Sequence, residues 1–153
     1  MTEAGQTTSS EAPLACCPFR IGGALLLCPA ENVEAITVWE EPLALPRVPA
    51  HVLGLVTYDQ RALAILDVGR FLGLEDAGHP GFTRTLVITA GEYRVGVPVS
   101  TALGVVEVEP ADREAPSGAI AGSLAQYVTA EVTLHGELAA LVDLPRLLEA
   151  ARA

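Results

Sequence analysis

The sequence predicts an all-β protein with short helices, organised as two similar small barrels. The 153 residues include 14 Gly and 11 Pro, a density of turn-forming residues that a helical bundle does not carry. The apolar runs between them are short, as in strands separated by turns. The chain also repeats itself. Ala64-Ile65-Leu66-Asp67-Val68-Gly69-Arg70-Phe71-Leu72 lines up with Ala140-Leu141-Val142-Asp143-Leu144-Pro145-Arg146-Leu147-Leu148, identical at Ala, Asp, Arg and the final Leu. Two copies in the same order point to two packed units, and closing each into a barrel removes exposed sheet edges.

In order along the chain, residues 1–15 are expected to be a flexible N-terminal tail, and residues 16–150 one domain of two intertwined barrels. Phe19-Arg20-Ile21 leads through Gly22-Gly23, a tight-turn pair, into Ala24 to Cys28. Pro29 to Ala35 is helix-compatible, with Pro29 at its start and an acid in its first turn. Ile36 to Trp39 reads as a strand, followed by a loop punctuated by Pro42, Pro46 and Pro49. Val52 to Thr57 and Ala62 to Leu66 form the next strand pair. Asp67 then N-caps a short helix carrying Val68, Phe71 and Leu72, and Gly73 to Thr83 is a connector. The second half follows suit with a hairpin, Leu86 to Thr89 and Tyr93 to Val97, a short helical turn at Pro98 to Ala102, and a strand from Leu103 to Glu109.

Nineteen acids against nine bases give a net charge of −10. All nine bases are Arg, and such a chain lacks the clustered cations that grip nucleic acid or an anionic membrane. The N-terminal stretch has no basic region and is not a signal peptide. No apolar run reaches the roughly 20 residues of a spanning helix, so direct membrane insertion is not expected. Three cysteines, Cys16, Cys17 and Cys28, make no disulfide or metal framework and fit a reducing, cytoplasmic address.

Catalysis needs a base, a nucleophile or a metal held within reach of one another. His51, His79 and His135 sit in separate loops or turns, and Asp67 and Asp143 stand where a cap is needed. No nucleotide-binding or nucleophile-elbow motif occurs. No catalytic, cofactor-binding or metal site is therefore assigned, and a surface-presenting binding module is the expectation.

The order of these pieces resembles the CheW family, adaptors that couple chemoreceptors to a CheA-type histidine kinase. The resemblance runs from Phe19 to Leu148. It is carried by Phe-x-Ile-Gly-Gly with Pro29-Ala30-Glu31-Asn32-Val33, by Arg47-Val48-Pro49 before His51-Val52-Leu53-Gly54-Leu55-Val56, and by Leu66-Asp67-Val68 ending in Phe71-Leu72-Gly73. Leu103-Gly104-Val105-Val106-Glu107-Val108 and Leu141-Val142-Asp143-Leu144 with Leu147-Leu148 complete it. The resemblance implies two five-stranded SH3-like barrels and a non-enzymatic role in chemosensory signalling and motility, in receptor clusters. The Arg-only, Ala-rich composition together with the diverged turn described next is similar to the Frz-type paralogues of gliding bacteria.

Departures from the family pattern cluster in one place. Where the family has Asn-Leu-Arg-Gly, the chain has Thr57-Tyr58-Asp59-Gln60; where it has Val-x-Glu-Ile, the chain has Val33-Glu34-Ala35-Ile36. The family's Glu and Arg are opposite charges, and both positions have lost them. Replacing Gly by Gln at position 60 implies a different turn shape or a longer loop. By position, the receptor-binding surface would include Val33, Gly54, Thr85, Leu86 and Val87, an apolar seat for a helical hairpin. Of Leu86 and Val87, adjacent on a strand, one is expected in the core.

Three functions follow in order. The first is an adaptor that binds the chemoreceptor cytoplasmic tip, with weakened or lost coupling to a CheA-type kinase or another CheW-like protein. The second is an ordinary coupler joining receptor to kinase. The third is a small-ligand sensor or enzyme on the same barrels, which would need a deep pocket with converging polar groups.

Overall fold

The computed structural model describes residues 12–74, 81–120 and 122–152. Most of the expected tail, His79 and the middle of the Gly73 to Thr83 connector lie outside the described residues. The first strand, β1 (Leu14–Ile21), begins two residues inside the segment expected as tail. It turns at Gly22, which takes the left-handed φ of 58°, into β2 (Ala24–Pro29). Then come β3 (Val33–Val38), β4 (Val52–Tyr58), β5 (Arg61–Leu66) and the helix α1 (Val68–Leu72). The second half runs β6 (Arg84–Ala90), β7 (Tyr93–Val99), β8 (Thr101–Ala102), β9 (Val106–Val108), β10 (Val128–Leu134), β11 (Glu137–Val142) and α2 (Leu144–Arg152).

Among the described residues, eleven strands form two mixed sheets. The six-stranded sheet runs β10-β11-β2-β1-β8, with β9 also on β1; the five-stranded sheet runs β3-β6-β7-β5-β4. The repeat is therefore real in order, but neither copy builds a sheet alone. The hairpin β1–β2 of the first half completes the sheet of the second half, and β6–β7 completes that of the first. Each donated hairpin joins by a parallel pairing at the same place in the repeat: Ala140 beside Leu26, and Ala64 beside Val95. This exchange is what intertwines the units.

The equivalence extends to single atoms. The Asp67 and Asp143 carboxylates accept the amides of Arg70 and Arg146 at 3.0 and 3.3 Å, so both cap their helices. The amides of Asp67 and Asp143 donate to the carbonyls of His51 and Tyr127. Arg70 and Arg146 reach the carbonyls of Ala50 and Gln126.

Three cores result. One, inside the six-stranded sheet, is built on Cys16, Leu25, Leu27, Val132 and Leu141. A second, inside the five-stranded sheet, gathers Leu63, Ile65 and Val87. The third lies between the sheets under both helices and holds Phe19, Leu26, Leu86, Ile88, Leu147 and Leu148. All three cysteines are buried and free, and burial pushes each thiol pKa up.

Some local expectations are corrected. Only Ala30–Asn32 of the segment expected as a helix winds, as a single 3-10 turn; Val33 onward pairs with β6, where its β-branched residues fit a pleated surface. Pro98 and Val99 continue β7, and Thr101–Ala102 pairs with β1 rather than turning helically. The strand expected from Leu103 shrinks to Val106–Val108, because Gly104 kinks the chain at φ 83°. His51 is half-buried rather than a free loop residue: its ring packs 4.9 Å from that of Phe71, and its Nε2 faces the Ala151 carbonyl oxygen.

Candidate functional site

The residues singled out at the diverged turn are brought together with two that the sequence did not flag. Tyr58 and Arg61 are the last pair of the β4–β5 ladder, so Asp59-Gln60 forms a two-residue turn. Both residues are left-handed, at φ 53° and 66°, the conformation of a tight hairpin turn. The turn is two residues long, so the expectation of a longer loop is corrected; its second place has the left-handed geometry a Gly would favour, and Gln60 carries the strain. The equivalent turn in the other sheet, His135-Gly136, adopts φ 49° and 82° with Gly in that second place.

Beside the turn, the register of β3 shifts between Val33 and Ala35, and Glu34 sits in that irregularity. Ala35 is half-buried against the Leu63–Ile65–Val87 core. Glu34 is exposed. The charge pair that looked lost at positions 35 and 59 is thus present in another form, since Arg94 of β7 reaches Glu34 from across the sheet. Arg94 Nε donates to Glu34 Oε1 at 3.0 Å, and its Nη2 donates to Oε2, a two-pronged contact. Thr89 Oγ1 donates to the same Oε1 at 3.1 Å. Arg94 Nη2 lies 3.6 Å from Asp59 Oδ2, and its guanidinium stands 5.0 Å over the Tyr58 ring.

Hydrogen bonding by Arg94 holds the Glu34 carboxyl below the usual range, with smaller help from Thr89 and Tyr58, against a desolvation effect that raises it. The same bond raises Arg94. Asp59 remains the outermost member, 71% exposed, while Thr57 is exposed and Tyr58 half-buried. The face thus displays an acid at its tip, with its cation held behind.

The candidate receptor residues occupy a different setting from the one expected. Leu86 and Val87 are both fully buried, in two different cores, because β6 is a central strand covered on both faces. Thr85 is 4% exposed, and Gly54 is buried beneath the Leu43 segment. Val33 is half-buried. None of them presents a free apolar surface. The exposed apolar side chains of this region are Ile36 and Val38 on β3, the edge strand of the sheet, and Leu43, whose segment bridges to Leu55 of β4. The five expected residues support this edge rather than form it.

Among the described residues, the cavities of this region are small or open rather than deep and polar. A cavity of about 140 Å³ between β3 and β4 is lined by Thr37, Val38, Val56, Tyr58 and Thr85. A shallow groove of about 570 Å³ runs past Arg113, Glu114 and Thr129. Among the described residues no cluster of three metal-ligating side chains occurs, and no helix is long and apolar enough to cross a membrane.

Comparison with known proteins matches this architecture. The model of the CheW-like domain covers residues 16–152. The chain is similar to the scaffolding protein TtCheW from Thermoanaerobacter tengcongensis, whose crystal structure superposes with a TM-score of 0.79 at 14% identity, covering 90% of this chain and 94% of that one. No curated protein sequence matches the chain. With two sheets that exchange hairpins, caps at Asp67 and Asp143, and a family model spanning nearly every described residue, the chain belongs to the CheW family.

Proposed function

We propose that this non-enzymatic adaptor binds the cytoplasmic tip of a chemoreceptor and couples only weakly, if at all, to a CheA-type histidine kinase, acting within receptor clusters. The observation that carries the proposal is Asp59, 71% exposed at the tip of a tight two-residue turn. Where the CheW pattern places an Arg, this turn offers an acid to whatever docks there. Among the described residues, the ion pairs of Asp59 and Glu34 both run to Arg94. A kinase surface complementary to Arg meets like charge here, and juxtaposed like charges select strongly against a partner.

Receptor binding is supported by the apolar residues that remain exposed along β3. Ile36 and Val38 are 41% and 71% exposed, an unusual pair on an edge strand, where charges ordinarily discourage contact. A helical hairpin carrying an apolar stripe matches such a surface. The test is a paired pull-down. Immobilised receptor tip retains the wild-type chain and loses the Ile36→Glu variant, while the immobilised kinase regulatory domain retains neither. Retention of Ile36→Glu by the receptor tip would remove β3 from the receptor surface.

A further inference from the structure

Resting on that reading, we infer that Arg94 is the specificity-determining residue of the turn face. It occupies the one seat for a cation beside Glu34 and thereby dictates that the turn carry an acid or a neutral residue. Its guanidinium spends Nε and Nη2 on the two oxygens of Glu34 and leans the same Nη2 toward Asp59. Both carboxylates therefore depend on a single cation that comes from β7 rather than from the turn. An Arg placed at position 59 would point its charge at Arg94 across the short gap now spanned by Asp59.

The fold does not fix charges at these particular positions, as the other sheet shows. Leu25 follows Ala24 in its hairpin as Arg94 follows Tyr93. Leu103 follows Ala102, the partner of Phe19, as Glu34 follows Val33, the partner of Ile88. Leu134 precedes the His135-Gly136 turn as Tyr58 precedes Asp59-Gln60. Leu25, Leu103 and Leu134 line a cavity of about 250 Å³ together with Arg20 and Glu137, whose two-pronged ion pair occupies other positions of the unit, and the turn beside them is equally tight. The same strand–turn–strand unit thus forms with three leucines where the five-stranded sheet carries Arg94, Glu34 and Tyr58. Among the described residues, each face thus carries an Arg–Glu pair, but only the five-stranded sheet sets its Arg, Arg94, within reach of the turn residue.

The proposal predicts coupling between positions 94 and 59. The probe is the purified kinase regulatory domain, titrated calorimetrically into four chains: wild type, Asp59→Arg/Gln60→Gly, Arg94→Leu, and all three substitutions together. The triple variant is expected to bind at least about tenfold tighter than Asp59→Arg/Gln60→Gly, a coupling of the size neighbouring side chains show, with Arg94→Leu alone gaining little. Equal gain with and without Arg94 overturns the assignment of Arg94 while leaving the turn as the kinase-selective face. No gain in any variant overturns both. Urea unfolding of the same four chains keeps the result readable. Coupling between the two positions in stability is expected as well, and strictly additive effects in both measurements contradict the shared seat.

Discussion

A Cβ on Gly54 would stand 2.1 Å from the carbonyl oxygen of Leu43. The backbone of Leu43 lies directly on β4 because it exchanges two hydrogen bonds with Leu55, at 2.8 and 3.0 Å, and Gly54, at φ 140°, leaves room for it. Gly54→Ala should push the Leu43 segment away and destabilise the fold by about 2 kcal/mol or more, read as a lower urea midpoint. Faster hydrogen exchange at the Leu43 amide should accompany it. A substitution at this buried position can thus alter a partner surface without being part of one.

Gln60 pays a conformational cost that its counterpart Gly136 avoids. Left-handed backbone disfavours residues with a Cβ, so Gln60→Gly should stabilise the protein by about 1 kcal/mol. Gly136→Gln should cost a similar amount. Denaturant titration of the two variants in opposite directions checks both.

Acid should loosen the turn face through Glu34. Its folded pKa is depressed by the hydrogen bonds of Arg94, so the stability this contact contributes is fully present above the unfolded glutamate value. It is lost as pH falls through the lowered folded value. Carbon-detected NMR should find Glu34 titrating below the usual glutamate range, and Arg94→Leu should move its midpoint upward. An unchanged midpoint in that variant would show that Arg94 does not hold the carboxylate.

What the sequence disclosed and what it hid divide along locality. The Asp67 and Asp143 caps were legible because cap, helix and Arg lie within one short motif, repeated with the same residues. The hairpins at Gly22 and between Thr89 and Tyr93 were legible because each lies within one short stretch of chain. The segment Pro98 to Ala102 was misread because its fate is decided by β1: the Ser100 amide donates to the carbonyl of Arg20, eighty positions away in sequence, and no local pattern announces that. Leu86 and Val87 obeyed strand alternation, yet both ended buried, since a central strand between two cores has no free face.

Arg94 is the clearest omission. Its partner Glu34 is sixty residues distant, and a strand Arg ordinarily reads as solvated. The available signal was its place in Tyr93-Arg94-Val95-Gly96-Val97, a charge in an otherwise apolar run, directly across from Thr89. The acid at position 34 was likewise passed over in favour of Ala35, because a register shift in β3 cannot be seen without its partner strand.

The central claim is selectivity between two partners, and affinity measured side by side tests it most directly. Calorimetric titration of the wild-type chain with the receptor cytoplasmic tip and with the kinase regulatory domain, in one buffer at one ionic strength, should give receptor binding at least about tenfold tighter, or 1.4 kcal/mol. Equal affinity for both, or tighter binding of the kinase domain, would contradict it.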